Sequence, residues 1–514
     1  MKFSVKSQNV QTILNLSSGI LTMIIQLIVN FFLSSYIVRT LGEEANGFTQ
    51  LANNFVTYAT LITLAFNSMS GRFISVSYHQ KQKKEVIRYY STTYICNIII
   101  GFALICTSFV FIINLDKIIR IENASHNDIQ LLFVFVFLNF IINLFISLYS
   151  TALFVKNCVY IQNIVNLART VLNALLLLLI FTILPPKMYY VSFVTLFLTL
   201  LCIPFFWKIQ LKKMPELKLK VSYFSFNALK KMIKSGIWNT INQCGNMLMT
   251  GLDLLITNTL ISPTLMGVLS IAKTIPNTIL SLAGVINASF APALVRDWAS
   301  GENEKILSQL RNSMKISSVI ISIPIITFSC FSLEFYSLWM PTLDAKMLAI
   351  LSLLSCMAYI PCAGIQNLYN VYTASNKLSI NSITFVFGGI LNIALVFILL
   401  NTTDFGVYAV ASVSSIITIM RNLIVTVPYT ARILNFKWYE FYKDILISLC
   451  CCGINFIVAY VVRSLMRSDT WLHLFIAVSG TVVFTLILDM ICILSKNERN
   501  AVILKIRRMF HGNH

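Results

Sequence analysis

The sequence predicts an all-α protein built into a membrane. Three observations carry that prediction: long apolar runs recur along nearly the whole chain, charged residues are scarce, and basic residues alternate from one side of the runs to the other. Hydrophobic residues make up 57% of the 514 positions and charged residues 11%, whereas an ordinary soluble domain is roughly 25% charged. Mean hydropathy is +0.78. This composition excludes a soluble enzyme, and the placement of the charges excludes a nucleic-acid binder.

Runs of about 20 apolar residues, the length that crosses a bilayer, fall near 12–38, 46–69, 89–113, 130–154, 158–182, 188–207, 236–260, 266–291, 316–340, 347–371, 379–400, 405–428, 442–462 and 471–494. The prediction is therefore about fourteen transmembrane helices. The first run follows Lys2 and Lys6 but is longer than a signal-peptide core and lacks a cleavage site, so it is read as a retained helix.

Net charge is +20, with 39 basic residues. If both termini face the cytoplasm, 30 basic residues fall on inward segments and seven on outward ones, with Arg169 and Lys273 inside spans. Lys and Arg concentrate in cytoplasmic loops, and one missed span would invert everything after it. The asymmetry thus supports the even span count and the orientation together, and it explains the basic balance without an acidic partner. All six tryptophans lie at or beyond span ends, the depth an amphipathic indole favours. The twelve cysteines show no zinc-type spacing and read as packing residues.

The longest polar interruption, 208–235, holds eight lysines and one glutamate, and its second half has the spacing of an amphipathic surface helix. It separates an N-terminal six-helix lobe, 1–207, from a C-terminal six-helix lobe, 236–430. Helices 13 and 14 are appended at 431–496 and a basic cytoplasmic tail follows at 497–514. The halves echo each other. Gly47 and Asn67 match Gly267 and Asn287, while Asn157 and Asn173 match Asn376 and Asn392, at offsets of 219 to 220. Six spans per half in one orientation make this a parallel repeat about the membrane normal.

No Walker-type phosphate loop, dinucleotide fingerprint, HExxH or GxSxG motif occurs. No catalytic residue, cofactor or metal site is implied. What remains is polar chemistry at membrane depth, where a charge costs at least ~2.5–3.5 kcal/mol. Arg169 lies ~16 Å into span five, with no acidic residue in its own span. Its guanidinium suits a phosphate or pyrophosphate; the alternative is structural pairing with carbonyls or an acid on another helix. Lys273 and Asp253 lie ~10 Å below the outer face on consecutive spans. They read as a structural ion pair, a substrate-contacting lysine or a cation-coupling aspartate. Asn239, Asn242 and Asn246 share a helical face with Asp253, a stripe suited to an aqueous cavity. Further candidates are Arg39, Arg72, Gln366 and Asn370, with Asn139 and Asn143; interhelical hydrogen bonding is their other reading. Glu334 and Asp489, nearer span ends, are expected at the interface.

The segment Arg39-Thr40-Leu41-Gly42 followed by Gly47 resembles the R-x-LG-x-x-x-x-G signature of polysaccharide biosynthesis flippases. These are the O-antigen and capsule repeat-unit translocases of the multidrug/oligosaccharidyl-lipid/polysaccharide (MOP) exporter superfamily. Asn46 replaces the tyrosine common before the final glycine. The resemblance implies a MOP/MATE-like architecture in the bacterial inner membrane, not an enzyme. It implies flipping of an undecaprenyl-pyrophosphate-linked oligosaccharide from the cytoplasmic to the outer leaflet by alternating access, for O-antigen (lipopolysaccharide), capsule or exopolysaccharide synthesis. Arg169 and Lys273 would line a cationic cavity tuned by Asp253. The implied partners are the lipid-linked oligosaccharide, membrane lipids, a polysaccharide polymerase and glycosyltransferases. A cation-coupled multidrug exporter and a lipid II flippase of the same superfamily are the alternatives.

Overall fold

The computed structural model describes residues 5–300, 303–466, 468–493 and 499. The regular structure among them is helical, without a strand. Apolar surroundings leave the backbone no other partner than itself, and a helix closes its bonds locally. Twelve helices among the described residues are long and apolar enough to cross a membrane. The two sequence-read spans outside that set, near 46–69 and 236–260, are also helical but hold more polar residues than the other long helices. The basic tail at 497–514 lies outside the described residues apart from Arg499.

Packing divides the chain into two compact units between Ile271 and Ala272. The first holds α1 (Val5–Leu41), α2 (Glu43–His79), α3 (Lys83–Ile113), α4 (His126–Val155), α5 (Val159–Ile183), α6 (Tyr189–Lys213) and α7 (Phe226–Asn246), and nearly all of α8 (Pro263–Ala272). The sequence pattern puts the boundary at 208–235, yet α7 packs along α2 within the first unit. At their crossing a Cβ on Gly236 would lie 1.9 Å from the carbonyl oxygen of Ala65. Only a residue without a side chain lets the two backbones approach so closely.

Beyond α7 the chain winds through a π-turn at Met247–Gly251, an α-turn at Asp253–Ile256 and a second π-turn at Thr257–Ile261. Each π-turn carries an extra residue per turn and rotates the helix beyond it. The freed carbonyl of Gly251 is taken by Tyr58 Oη at 2.5 Å and by Asn54 Nδ2 at 3.2 Å, both on α2.

The second unit holds α9 (Thr274–Ser300), α10 (Asn303–Trp339), α11 (Ala345–Cys356), the short α12 (Tyr369–Ala374), α13 (Ser379–Thr402), α14 (Val407–Arg421) and α15 (Val427–Ile433). It ends with α16 (Tyr442–Leu465) and α17 (Trp471–Cys492). The last two pack on α10 through Cys330, Phe331, Ala459 and Ala477. Ion pairs of Arg463 with Glu334 at 2.7 Å and of Arg311 with Glu440 at 2.6 Å fasten the C-terminal segment to α10.

Local geometry recurs at the offset read in the sequence. Asn157 and Asn376 both adopt φ +55°. After Asn157 the Cys158 amide reaches back to the Leu153 carbonyl at 2.8 Å, and after Asn376 the Lys377 amide reaches the Tyr372 carbonyl at 3.0 Å. Each is a helix C-terminus closed by a left-handed residue, a role asparagine fills when glycine does not. Asn67 donates to Asn97 at 3.1 Å in the first unit, and Ser317 donates to Asn287 at 3.3 Å in the second. Both pairs span 30 residues.

Candidate functional site

The first unit sets Arg169 on α5 between two packed neighbours. One face of α5 docks on α1 by polar contacts: Asn15 to Asn157 at 2.9 Å, Asn163 to Ser18 at 3.0 Å and Thr22 to the Asn163 carbonyl at 3.1 Å. A second row, Gln162, Asn166, Arg169 and Asn173, recurs at helical spacing and is half-buried throughout. Asn173 at its end donates to Thr195 of α6 at 2.9 Å. Arg169 makes no hydrogen bond or ion pair among the described residues. A guanidinium cannot shed its proton, so at this depth it offers five donors and a full charge to whatever anion enters.

Asp253 is 1% exposed, whereas Asn239 and Asn246 are exposed and Asn242 is half-buried. The uniform stripe expected from helical spacing is therefore not kept, because the π-turn at 247–251 rotates Asp253 inward while the asparagines stay on α7. Lys273 occupies the break between α8 and α9 and is half-buried. Neither Asp253 nor Lys273 is free of interactions.

The remaining candidates divide by use. Gln366 accepts from Asn287 Nδ2 at 2.7 Å, and Asn370 donates to the Asn287 carbonyl at 3.1 Å. Both are thus engaged in fastening α9 to the segment around 365–370. Asn143 donates to the Asn139 carbonyl one turn back at 2.8 Å. Arg39 ends α1, exposed but not free of interactions, and Arg72 on α2 is exposed. Glu334 is half-buried and pairs with Arg463 at 2.7 Å. Asp489 is fully buried on α17, because that helix turns this face onto α10 and α16.

The motif around Arg39 is a packing junction. Gly42 takes φ +85° to turn the chain from α1 into α2, a conformation glycine adopts without penalty. Glu44 accepts from the Asn123 side chain at 2.7 Å and from Thr264 at 3.2 Å. Asn46 donates to Ser270 at 2.8 Å.

Arg421 lies inside the run near 405–428, toward its inward end, and the structure buries it to 6% exposure at the end of α14. Its partners are all neutral: Asn381 Oδ1 at 3.1 Å, Asn422 Oδ1 at 3.2 Å and the Tyr369 hydroxyl, with the Phe385 ring 4.0 Å away. Of these partners only Asn422 is adjacent in the sequence; Asn381 and Tyr369 are 40 and 52 residues away, so the sequence carries little signal for the site.

A family model described as "Polysaccharide biosynthesis protein" matches residues 10–298. The chain belongs to the polysaccharide biosynthesis protein family. This family member is similar to "Uncharacterized membrane protein EpsK" of Bacillus subtilis (strain 168), at 24% identity over 501 residues covering 96% of this chain and 98% of that one. Its fold is that of a solved structure of "Lipid II flippase MurJ, inward closed conformation", with TM-score 0.70, 14% identity and coverage of 93% and 98%. The fold also matches a multidrug resistance MATE family transporter of the MOP superfamily in an inward-facing conformation, with TM-score 0.65, 13% identity and coverage of 82% and 98%. The family-matched stretch of this polysaccharide biosynthesis protein contains the Arg39 motif, Arg169, Asp253 and Lys273; Gln366, Asn370 and Arg421 lie beyond it.

Proposed function

We propose that this multi-pass membrane protein flips an undecaprenyl-pyrophosphate-linked oligosaccharide from the cytoplasmic to the outer leaflet of a bacterial inner membrane, for O-antigen, capsule or exopolysaccharide assembly. The observation that carries the reading is Arg169, a permanent cation with no hydrogen-bonding or ion-pair partner among the described residues, on a polar face of α5. A pyrophosphate supplies the bidentate acceptor that a guanidinium fork is shaped for. Family membership supports the polysaccharide context, and the fold shared with a lipid II flippase supports a lipid-linked substrate. Arg169 and the Asn239–Asn246 face would contact the substrate as access alternates between the two sides of the membrane. Asp253 would set the charge near that face, and Lys273, Gln366 and Asn370 would be further contacts. A polymerase and glycosyltransferases would act on the product and the precursor.

A cation-coupled drug exporter would carry an acid inside the first six helices. Among the described residues of α1 to α6, acids occur only in the first turns of α2, α3 and α4.

The decisive experiment reconstitutes the full chain in liposomes with a labelled undecaprenyl-pyrophosphate oligosaccharide and follows its access to an external glycosidase. Protein-dependent access is expected. No access to this lipid with flipping of lipid II, or with uptake of a cationic drug, overturns the reading. Orientation is tested separately by alkaline phosphatase fusions, inactive after Lys220 and active within 402–404; the reverse pattern overturns the direction of flipping.

A further inference from the structure

The segment between α6 and α7 and the first turns of α7 border an open cationic cleft of about 750 Å³, lined by Arg88 of α3 together with Ser222, Asn227, Lys230, Lys231 and Lys234. It is held open by fixed backbone. The Lys220 amide donates to Ser91 at 3.0 Å and the Ser225 amide to Thr92 at 3.1 Å, and both hydroxyl residues of α3 are fully buried. Between these two pins runs a single 3₁₀ turn, Val221–Tyr223. Ser225 then caps α7 by accepting from the Ala228 amide at 3.3 Å. The first amides of α7 have no acceptor within the helix and lie at the positive end of its dipole.

The three lysine charges here are uncompensated, while Arg88 is paired with Glu85. Lys230, Lys231 and Lys234 are exposed and make no hydrogen bond or ion pair among the described residues. The lining holds no carboxylate, and Glu85, outside it, pairs with Arg88 at 2.5 Å. Beside the cations stand large apolar side chains turned outward: Val221 at 72%, Phe224 at 40% and Phe226 at 69% exposure. A soluble anion has no use for that apolar rim. Cations around a cavity with aromatic and branched side chains beside them match an amphiphile with an anionic head and acyl chains.

We infer that the cavity of Arg88, Lys230, Lys231 and Lys234 binds the phosphate head group of an anionic phospholipid, with Val221, Phe224 and Phe226 against its acyl chains. The lipid would hold the start of α7, the helix that leads to Gly236 and the π-turns, against the leaflet surface. The inference is independent of what the protein transports.

The full-length protein in detergent is titrated with phosphatidylglycerol or phosphatidylcholine and its lipid adducts are resolved by native mass spectrometry. Wild type should take its first phosphatidylglycerol at least tenfold more tightly than phosphatidylcholine. K230Q/K231Q/K234Q should lose that preference, at about fivefold per lysine, while K230R/K231R/K234R keeps it. Because the three lysines are exposed and unpaired, neither variant removes a contact within the fold. Equal binding of the two lipids by wild type, or unchanged preference in the glutamine variant, overturns the proposal. So does binding of inorganic phosphate alone that is lost in the glutamine variant while the two lipids bind wild type alike, which would make the cavity a soluble-anion site.

Discussion

Gly47 and Gly267 lie back to back in the first unit, so close that a Cβ on Gly47 would come within 2.9 Å of the Gly267 Cα. From the other side, a Cβ on Gly267 would meet the Glu43 carbonyl oxygen at 2.5 Å. The last glycine of the Arg39 motif is therefore a contact point where α2 and α8 approach backbone to backbone. The clash for Gly267 is with main chain, which cannot swing aside as a side chain can. Gly267→Ala should cost about 3 kcal/mol and lower the amount of protein in the membrane, and Gly47→Ala should do the same less severely. Immunoblots of membrane fractions check this, and wild-type abundance in Gly267→Ala would show that the two helices are not held at this distance.

Asn157 and Asn376 should tolerate glycine and reject β-branched residues. At φ +55° glycine meets no steric penalty, whereas a residue such as valine costs roughly 1–2 kcal/mol. Thermal denaturation of the purified protein should therefore rank Asn→Gly above Asn→Val at both positions, with Asn157→Gly somewhat below wild type because it also loses the hydrogen bond from Asn15. If valine is tolerated at one position and not the other, the two helix ends are not equivalent.

Arg169→Ala should abolish or sharply reduce surface glycan while leaving protein abundance intact, since no partner is orphaned by its removal. Loss of one charge-assisted hydrogen bond corresponds to about 1.5–3 kcal/mol, roughly ten- to a hundredfold in transport. Arg169→Lys should rescue in part, because an ammonium keeps the charge but not the fork. Glycan staining beside an abundance control reads both. Wild-type glycan in the alanine variant would remove Arg169 from the mechanism and make Lys273 the better candidate.

Arg421 should behave in the opposite way. Its guanidinium links Asn381 of α13, Tyr369 of α12 and the π-turn at Asn422–Thr426, and lies over Phe385. Arg421→Met takes the donor from Asn381 Oδ1, at about 1–3 kcal/mol, and forfeits a desolvated cation–π contact worth about 2 kcal/mol, while Asn422 Oδ1 keeps Tyr369 and Thr426 as donors. Folded protein and glycan should fall together. A variant with full abundance and no glycan would instead identify Arg421 as a substrate contact.

The class of this protein is legible in one dimension: membrane-embedded, all-helical and of the polysaccharide biosynthesis family. Span hydrophobicity is a property of consecutive residues, and the Arg39-to-Gly47 motif is a local string, so neither needs a fold to be read. Asn157 and Asn376 stand out in the sequence only as a match at a fixed offset; that both close a helix in the left-handed conformation comes from the structure. Which polar residues are in use is settled by packing alone. Gln366 and Asn370 read like Arg169 in the sequence, yet they are bound to Asn287, while Arg169 makes no hydrogen bond or ion pair among the described residues. Asp489 and Arg421 both lie near span ends in the sequence, yet both are enclosed. Helical periodicity groups Asp253 with Asn239, Asn242 and Asn246, and a π-turn rotates it away. One cause underlies all of these. A polar side chain in an apolar medium takes whatever partner packing brings within about 3 Å, and that partner sits on a helix distant in the chain, at a rotation that one extra residue in a turn can change.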